Sequence, residues 1–185
     1  MIIKDIEYTM KDGRTAVIRS PRDGDIPGVL DYLYVSAGET EFIIRYPEEC
    51  DKYTAEGEKA LFDKANASES EAFLVCLVDG KVAGTAQIMW STSIKTRHRA
   101  FVAIALLKEF WGQGIGTRIF GELIRIAEDN EYILQLELDF VEGNTRARAL
   151  YEKTGFRITG VKPNAIRLRD GTLLNEYSMV REIRR

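Results

Sequence analysis

The sequence predicts an α+β protein of α/β-like character, with a mixed, mostly antiparallel central sheet and helices on both faces. Three observations predict it. The turn signals Asp12-Gly13, Asp79-Gly80 and Asp170-Gly171 each separate two strand-like stretches and point to hairpins. Leu134, Leu136, Leu138 and Phe140 alternate with polar residues between two helical patterns, so a crossover joins at least one parallel pair. A glycine-rich turn, Gly112-Gln113-Gly114-Ile115-Gly116, leads from an apolar strand into an amphipathic helix.

The elements follow in order. Strands are expected near Lys4–Met10 and Arg14–Arg19. Ile26, Val29, Leu30 and Leu33 have helical spacing, whereas residues 36–51 show little periodicity and read as loop with short helical turns. Thr54 suits the cap of a second helix running to about Asn66. Phe73–Val78 and Lys81–Trp90 read as a hairpin, and Arg99–Leu107 as a buried strand. The amphipathic helix after the glycine turn stops near Asn130. Asn144 caps a helix over about 145–154, with Gly155 placed to end it. Two last strands are expected near 156–168 and 173–182.

Composition narrows the class. The 185 residues are 45% hydrophobic and 30% charged, an ordinary globular balance, read as one domain over 1–185. Net charge is −3, from 26 basic and 29 acidic side chains, so neither nucleic acid nor a membrane surface is expected as partner. The longest apolar run, Ala100–Leu107, is eight residues, and Lys4, Asp5 and Glu7 interrupt the N-terminal stretch. Cys50 and Cys76 lack metal-ligand spacing, there is one histidine, and no metal is expected. A reducing, cytoplasmic location fits best.

The glycine turn carries the chemistry. Glycines let the backbone approach a ligand, and the first N–H groups of the following helix then converge with the positive end of its dipole. That is an anion site suited to a pyrophosphate. A P-loop fails because Glu122 and Leu123 stand where Lys and Ser/Thr are required. A dinucleotide fingerprint fails because Thr117 or Ile119 stands at the third glycine.

Trp111-Gly112-Gln113-Gly114-Ile115-Gly116 resembles the pyrophosphate turn of the GNAT superfamily of N-acetyltransferases, Arg/Gln-x-x-Gly-x-Gly/Ala, with Trp111 in place of the usual Arg or Gln. Asn144, Ala147, Leu150, Tyr151, Gly155 and Phe156 resemble a second block of that family, Asn-x-x-Ala-x-x-Leu-Tyr-x-x-x-Gly-Phe. The element order suits the family across nearly the whole chain, and the pattern is closest to uncharacterised bacterial members.

The resemblance implies a GNAT-like acyl-CoA N-acyltransferase fold and direct acetyl transfer from acetyl-CoA to a primary amine of a small molecule or peptide. It places backbone N–H groups of Gln113, Gly114, Ile115, Gly116 and Thr117 on the pyrophosphate, and backbone of Ile104 and Leu106 beside the pantetheine arm, with an N–H near Leu106 as oxyanion donor. Ile104 and Leu106 also suit plain core packing. Tyr151 would donate a hydrogen bond or proton to the leaving thiolate, and its alternative is a packed helix-face aromatic. Asn144 suits a helix cap, a cofactor contact, or both. Glu137 or Asp139 could take the amine's proton, or both could be solvated carboxylates; Glu109 is a weaker candidate. His98, between Arg97 and Arg99, reads as a surface residue. A different acyl-CoA, or a non-catalytic acyl-CoA-binding or sensing module, is the alternative function. A homodimer through the C-terminal hairpin is family analogy.

Overall fold

The computed structural model describes residues 1–183. Eight strands form one mixed sheet in the order β1-β2-β3-β4-β5-β6-β8-β7. They are β1 Ile6–Thr9, β2 Thr15–Arg19, β3 Glu71–Val78, β4 Lys81–Trp90, β5 Arg99–Leu106, β6 Gln135–Val141, β7 Arg157–Arg167 and β8 Leu173–Glu182. Four α-helices lie among them: α1 Ile26–Glu39, α2 Ala55–Ala67, α3 Ile115–Asp129 and α4 Thr145–Lys153. No helix among the described residues is long and apolar enough to cross a membrane.

The contacts group into two compact units, one of residues 1–89 and 103–119, the other of 90–102 and 120–185. The division falls inside β4, β5 and α3. In the first unit β1, β2, β3 and β4 pair antiparallel in sequence order. Asp79 and Gly80 have φ of +50° and +77°, the left-handed pair that a two-residue hairpin requires. The first hairpin turns differently. Met10 N donates to Arg14 O at 2.8 Å and Gly13 has φ +90°, a three-residue loop closed by a left-handed glycine.

In the second unit β6 pairs antiparallel with β8, and β8 with β7. The parallel pair that the crossover demanded is β5 with β6, in register from Arg99↔Gln135 to Phe101↔Glu137. Pro163 falls in β7, the last strand of the order, at a register shift between Lys162 and Ile166. That is where a residue without an N–H is tolerated.

Two expectations change. The stretch read as loop with short helical turns from residue 36 is α-helical through Glu39, while the expected helical turn appears as a 3-10 helix at Pro47–Lys52. Ser36 is buried there because its hydroxyl bonds back to Leu33 O at 3.1 Å, so a polar residue joins the inner face and hides the apolar period. Strand β5 is not uniformly buried. Ala100 and Val102 face inward, Arg99, Phe101 and Ala103 are exposed, and Ile104 to Leu106 are half-buried. Both cysteines are free and buried, and burial pushes the Cys76 thiol up to about 12, which makes it inert.

The start of α1 is fixed by a buried ion pair. Arg19 Nη1 and Nη2 each donate to Asp25 at 2.7 Å, with side chains 10% and 5% exposed. Burial pushes the Asp25 carboxyl up, but the Arg19 fork and the Arg22 N–H outweigh it and leave its proton affinity below the ordinary range. A carboxyl depressed in this way stabilises the fold above its unfolded pKa of about 3.9 and loses that contribution as pH falls through the folded value. Asp25→Asn is expected to cost about 3 kcal/mol in urea unfolding at pH 7, because it leaves a buried guanidinium without its counter-charge. The deficit should begin to shrink as pH falls below about 4 and vanish only below the depressed folded value, where Asp25 itself becomes neutral.

Candidate functional site

In the first unit, β5 runs into a short turn at Lys108–Phe110 and then into α3. Gly112 and Gly114 have φ of +77° and +91°, left-handed conformations that other residues adopt at a cost. The helix ladder opens with Arg118 N donating to Gly114 O at 3.1 Å. The N–H groups of Gln113, Gly114, Ile115, Gly116 and Thr117 therefore precede the ladder, and among the described residues none has a hydrogen-bond partner. Five free donors stand at the positive end of a fifteen-residue helix. Such a row fits a pyrophosphate in number and charge.

The turn is held by the first hairpin. Tyr8 Oη donates to Gln113 O at 3.2 Å, and Asp12 N donates to Gln113 Oε1 at 3.2 Å. A Cβ on Gly114 would stand 2.1 Å from Tyr8 Oη and 3.1 Å from its Cζ. Gly114 is thus required twice, by its φ and by the phenol against it. Phe110 and Trp111 precede the turn with cations over their rings: Arg14 and Lys81 at 5.6 and 5.8 Å from Phe110, Lys108 at 5.9 Å from Trp111. Arg14 also pairs with Asp12, and Lys81 with Glu109, so Glu109 is engaged rather than free to act as a base.

The end of β5 is built for backbone exposure. Leu107 N donates to Ala83 O of β4, and Ala105 O accepts from Tyr32 Oη at 3.1 Å. A Cβ on Gly84 would lie 2.4 Å from Ala105 O, so β4 needs glycine there for the strands to approach. Strand alternation then turns the backbone groups of Ile104 and Leu106 to the opposite edge of β5. Trp111, which departs from the family's turn, has a defined place: its indole N–H donates to Leu106 O at 2.8 Å.

The second unit holds Tyr151, Asn144 and Glu137. Asn144 Oδ1 accepts from Ala147 N at 3.2 Å, which realises the cap of α4. At the other end Phe156 N donates to Tyr151 O and Gly155 N to Glu152 O, both at 3.0 Å, with Gly155 at φ +90°. This is a Schellman stop, and it folds Phe156 back beside Tyr151. The Tyr151 ring is 7% exposed and packs edgewise on Phe120 and Phe140, with centroids 5.5 and 6.0 Å away. Its hydroxyl has no hydrogen-bond partner among the described residues. Burial pushes its pKa up to about 12.

Glu137 accepts from both ends of the Arg99 fork, Nη2 at 2.6 Å, and from Gln135 Nε2. The Arg99 guanidinium holds its carboxyl below the usual range, the opposite of what a proton acceptor at neutral pH needs. Asp139 accepts from Ser178 Oγ at 2.6 Å.

The sequence pattern of the Acetyltransferase (GNAT) family matches residues 39–156, well over half of the chain and inclusive of both motif blocks. The chain belongs to the GNAT acetyltransferase family. Its fold is that of solved GNAT structures. An acetyltransferase of GNAT family from Streptococcus pneumoniae superposes with a TM-score of 0.84 at 24% identity, over 91% of this chain and 99% of the other. YncA from Salmonella typhimurium, solved with its cofactor acetyl-CoA, gives 0.76 at 17% identity, over 92% and 95%. A spermidine N-acetyltransferase from Vibrio cholerae, in complex with CoA and spermine, gives 0.72 at 17% identity, over 90% and 95%. No curated protein matches the chain by sequence.

Within this GNAT frame, sequence reading missed Tyr8 and Asp12, which brace the turn from about a hundred residues away, and the Trp111–Leu106 bond. No local signal marks them. Gly114→Ala is expected to weaken acetyl-CoA binding at least tenfold by calorimetry. Tyr8→Phe, which removes only the hydroxyl, should cost about threefold, in line with one modest hydrogen bond.

Proposed function

We propose that this chain, acting as one domain, transfers an acetyl group from acetyl-CoA to a primary amine by direct attack in a ternary complex. The observation that carries the reading is the row of five free N–H groups from Gln113 to Thr117 at the start of α3, in a chain of this family. They would hold the pyrophosphate, and the outward backbone edge of Ile104 and Leu106 would hold the pantetheine arm as an added strand. The Leu106 N–H is the proposed oxyanion donor, kept in place because Trp111 fixes the carbonyl of the same residue. Asn144 spends its side-chain oxygen on the helix cap and retains its amide N–H₂ for the cofactor.

Acetyl-CoA supplies the activated thioester; the protein's part is to orient it, polarise its carbonyl and stabilise the leaving sulfur. Tyr151 is proposed for the last task, supported by its place in the second family block and by its buried ring with a free hydroxyl. Its pKa, about 12, decides how it acts. A thiol has a pKa of about 8.5, so complete proton transfer from Tyr151 to the thiolate would run uphill by roughly 5 kcal/mol. Tyr151 therefore serves as a hydrogen-bond donor to developing negative charge, and solvent completes protonation of the thiolate.

The acceptor amine must lose a proton. Glu137 is the candidate named from the sequence, but Arg99 lowers its proton affinity. In this proposal Glu137 is the anionic partner that orders Arg99, and the amine's proton passes to water. The reading extends to amine acceptors as a class, the spermine bound by the Vibrio cholerae neighbour being one of them.

Tyr151→Phe tests the central role. In a thiol-release assay with a reactive amine, kcat should fall about a hundredfold, at the lower end of what a positioned donor contributes. Calorimetric affinity for acetyl-CoA should stay within about twofold, since one phenol oxygen is the only change. Unchanged kcat would remove Tyr151 from the mechanism, and intact acetyl-CoA binding with no amine-dependent CoA release would favour the sensing module.

A further inference from the structure

We infer that Tyr32 is a positioning residue for acetyl transfer: through Ala105 O it holds and polarises the one amide whose N–H, on Leu106, is aimed at the thioester carbonyl. This rests on the acetyltransferase reading and lies wholly within the first unit.

Tyr32, on the inner face of α1, is buried. Packing alone would be served by phenylalanine, and a buried hydroxyl is costly unless it is bonded. Here it donates to Ala105 O at 3.1 Å. Ala105 O and Leu106 N–H belong to the same peptide group. In a trans amide the carbonyl and the N–H point in opposite directions. The carbonyl faces β4, since a Cβ on Gly84 would lie 2.4 Å from Ala105 O and 3.0 Å from Leu106 Cα. The Leu106 N–H is therefore turned away from β4.

The next amide is fixed as well. Leu106 O accepts from the Trp111 indole N–H at 2.8 Å, and Leu107 N donates to Ala83 O at 2.9 Å. Two successive peptide planes thus have three of their four polar groups committed within the first unit. The fourth, the Leu106 N–H, is the proposed oxyanion donor. Fixing an amide at both neighbouring carbonyls sets its direction before any substrate arrives, which is what such a donor requires.

Tyr32 adds polarisation to direction. A carbonyl can only accept, so the single phenol proton is given to Ala105 O. Thr85 Oγ1 in turn donates to Tyr32 Oη at 3.4 Å. The dipoles run one way, from the Thr85 hydroxyl through the phenol and the carbonyl to the Leu106 N–H. Each donor in such a chain strengthens the next, and the N–H at its end becomes a better donor to developing negative charge. Burial pushes the Tyr32 pKa up, so the phenol keeps its proton and remains a donor. Neither Tyr32 nor Thr85 belongs to the two family motif blocks.

The test compares the full chain with Tyr32→Phe, which keeps the ring and removes only its oxygen. Acetyl-CoA isotope-labelled at the thioester carbonyl is read by infrared difference spectroscopy in the bound state. The wild-type carbonyl band should fall below that of free acetyl-CoA, and Tyr32→Phe should give back about half of that fall. With hydroxylamine as probe amine and saturating acetyl-CoA, turnover should drop about tenfold, a fraction of the hundredfold or more that loss of a whole oxyanion donor costs. The acetyl-CoA concentration for half-maximal rate should stay within about twofold; a residue that only supported the fold would move that concentration and leave the band alone. In the unliganded chain, the amide resonance of Leu106 should move more than that of any other β5 residue. A wild-type band that is lowered but unchanged by Tyr32→Phe, an unaltered turnover rate, or a Leu106 amide that does not move would overturn the inference and leave the transferase reading standing. A wild-type chain that does not bind acetyl-CoA, or leaves its carbonyl band where it lies in water, would remove the oxyanion reading itself and this inference with it.

Discussion

The left-handed backbone at Gly114, pressed against the Tyr8 hydroxyl, is the constraint on which the rest of the anion cradle depends. It lets the chain leave β5, turn in a few residues and present five N–H groups together. A side chain at that position would meet the phenol, and the turn would have to move away from the hairpin that supports it. The loop is therefore more than a flexible glycine run. It is braced by two hydrogen bonds to Gln113, and its donors are oriented before any ligand arrives, which lowers the entropy lost on binding.

The second motif block has an equally physical content. Asn144 and Ala147 are the two ends of a helix cap, while Tyr151, Gly155 and Phe156 are a Schellman stop with its customary apolar contact. A nine-residue helix cannot stabilise itself, so both ends are closed and its one large aromatic is wedged among Phe120, Phe140 and Phe156. The same wedge raises the phenol's pKa and leaves its oxygen without a hydrogen-bond partner among the described residues. Structure and chemistry are not rival readings of Tyr151: packing holds the ring, and the unspent hydroxyl is what remains for the reaction.

The acidic residues divide in a way that spacing could not show. Glu137, Asp139 and Glu109 have polar partners, whereas Glu58 has none among the described residues although it is the most buried of the four. Paired carboxylates are anions held in place. Glu58, in the first turn of α2, has no such anchor, and burial pushes its carboxyl up.

By itself the sequence determined the elements and the chemical class. Turn dipeptides, the Leu134 to Phe140 alternation, the Asn144 cap and the Gly155 stop are local rules, set by φ and by hydrogen bonds within a few residues, and the strands and α4 follow them closely. The two motif blocks are local for the same reason. What the tertiary structure decided was who meets whom. Tyr8 and Asp12 reach Gln113, Tyr32 reaches Ala105, and Arg99 claims Glu137, each across dozens of residues. The helical run through Ser36 and the open edge of β5 were hidden likewise, because a buried hydroxyl breaks the apolar period and an apolar run does not show which edge of a strand is left unpaired. Hydrogen-bond partners and burial are properties of chain encounters in space, and no residue pattern along the chain encodes them one at a time.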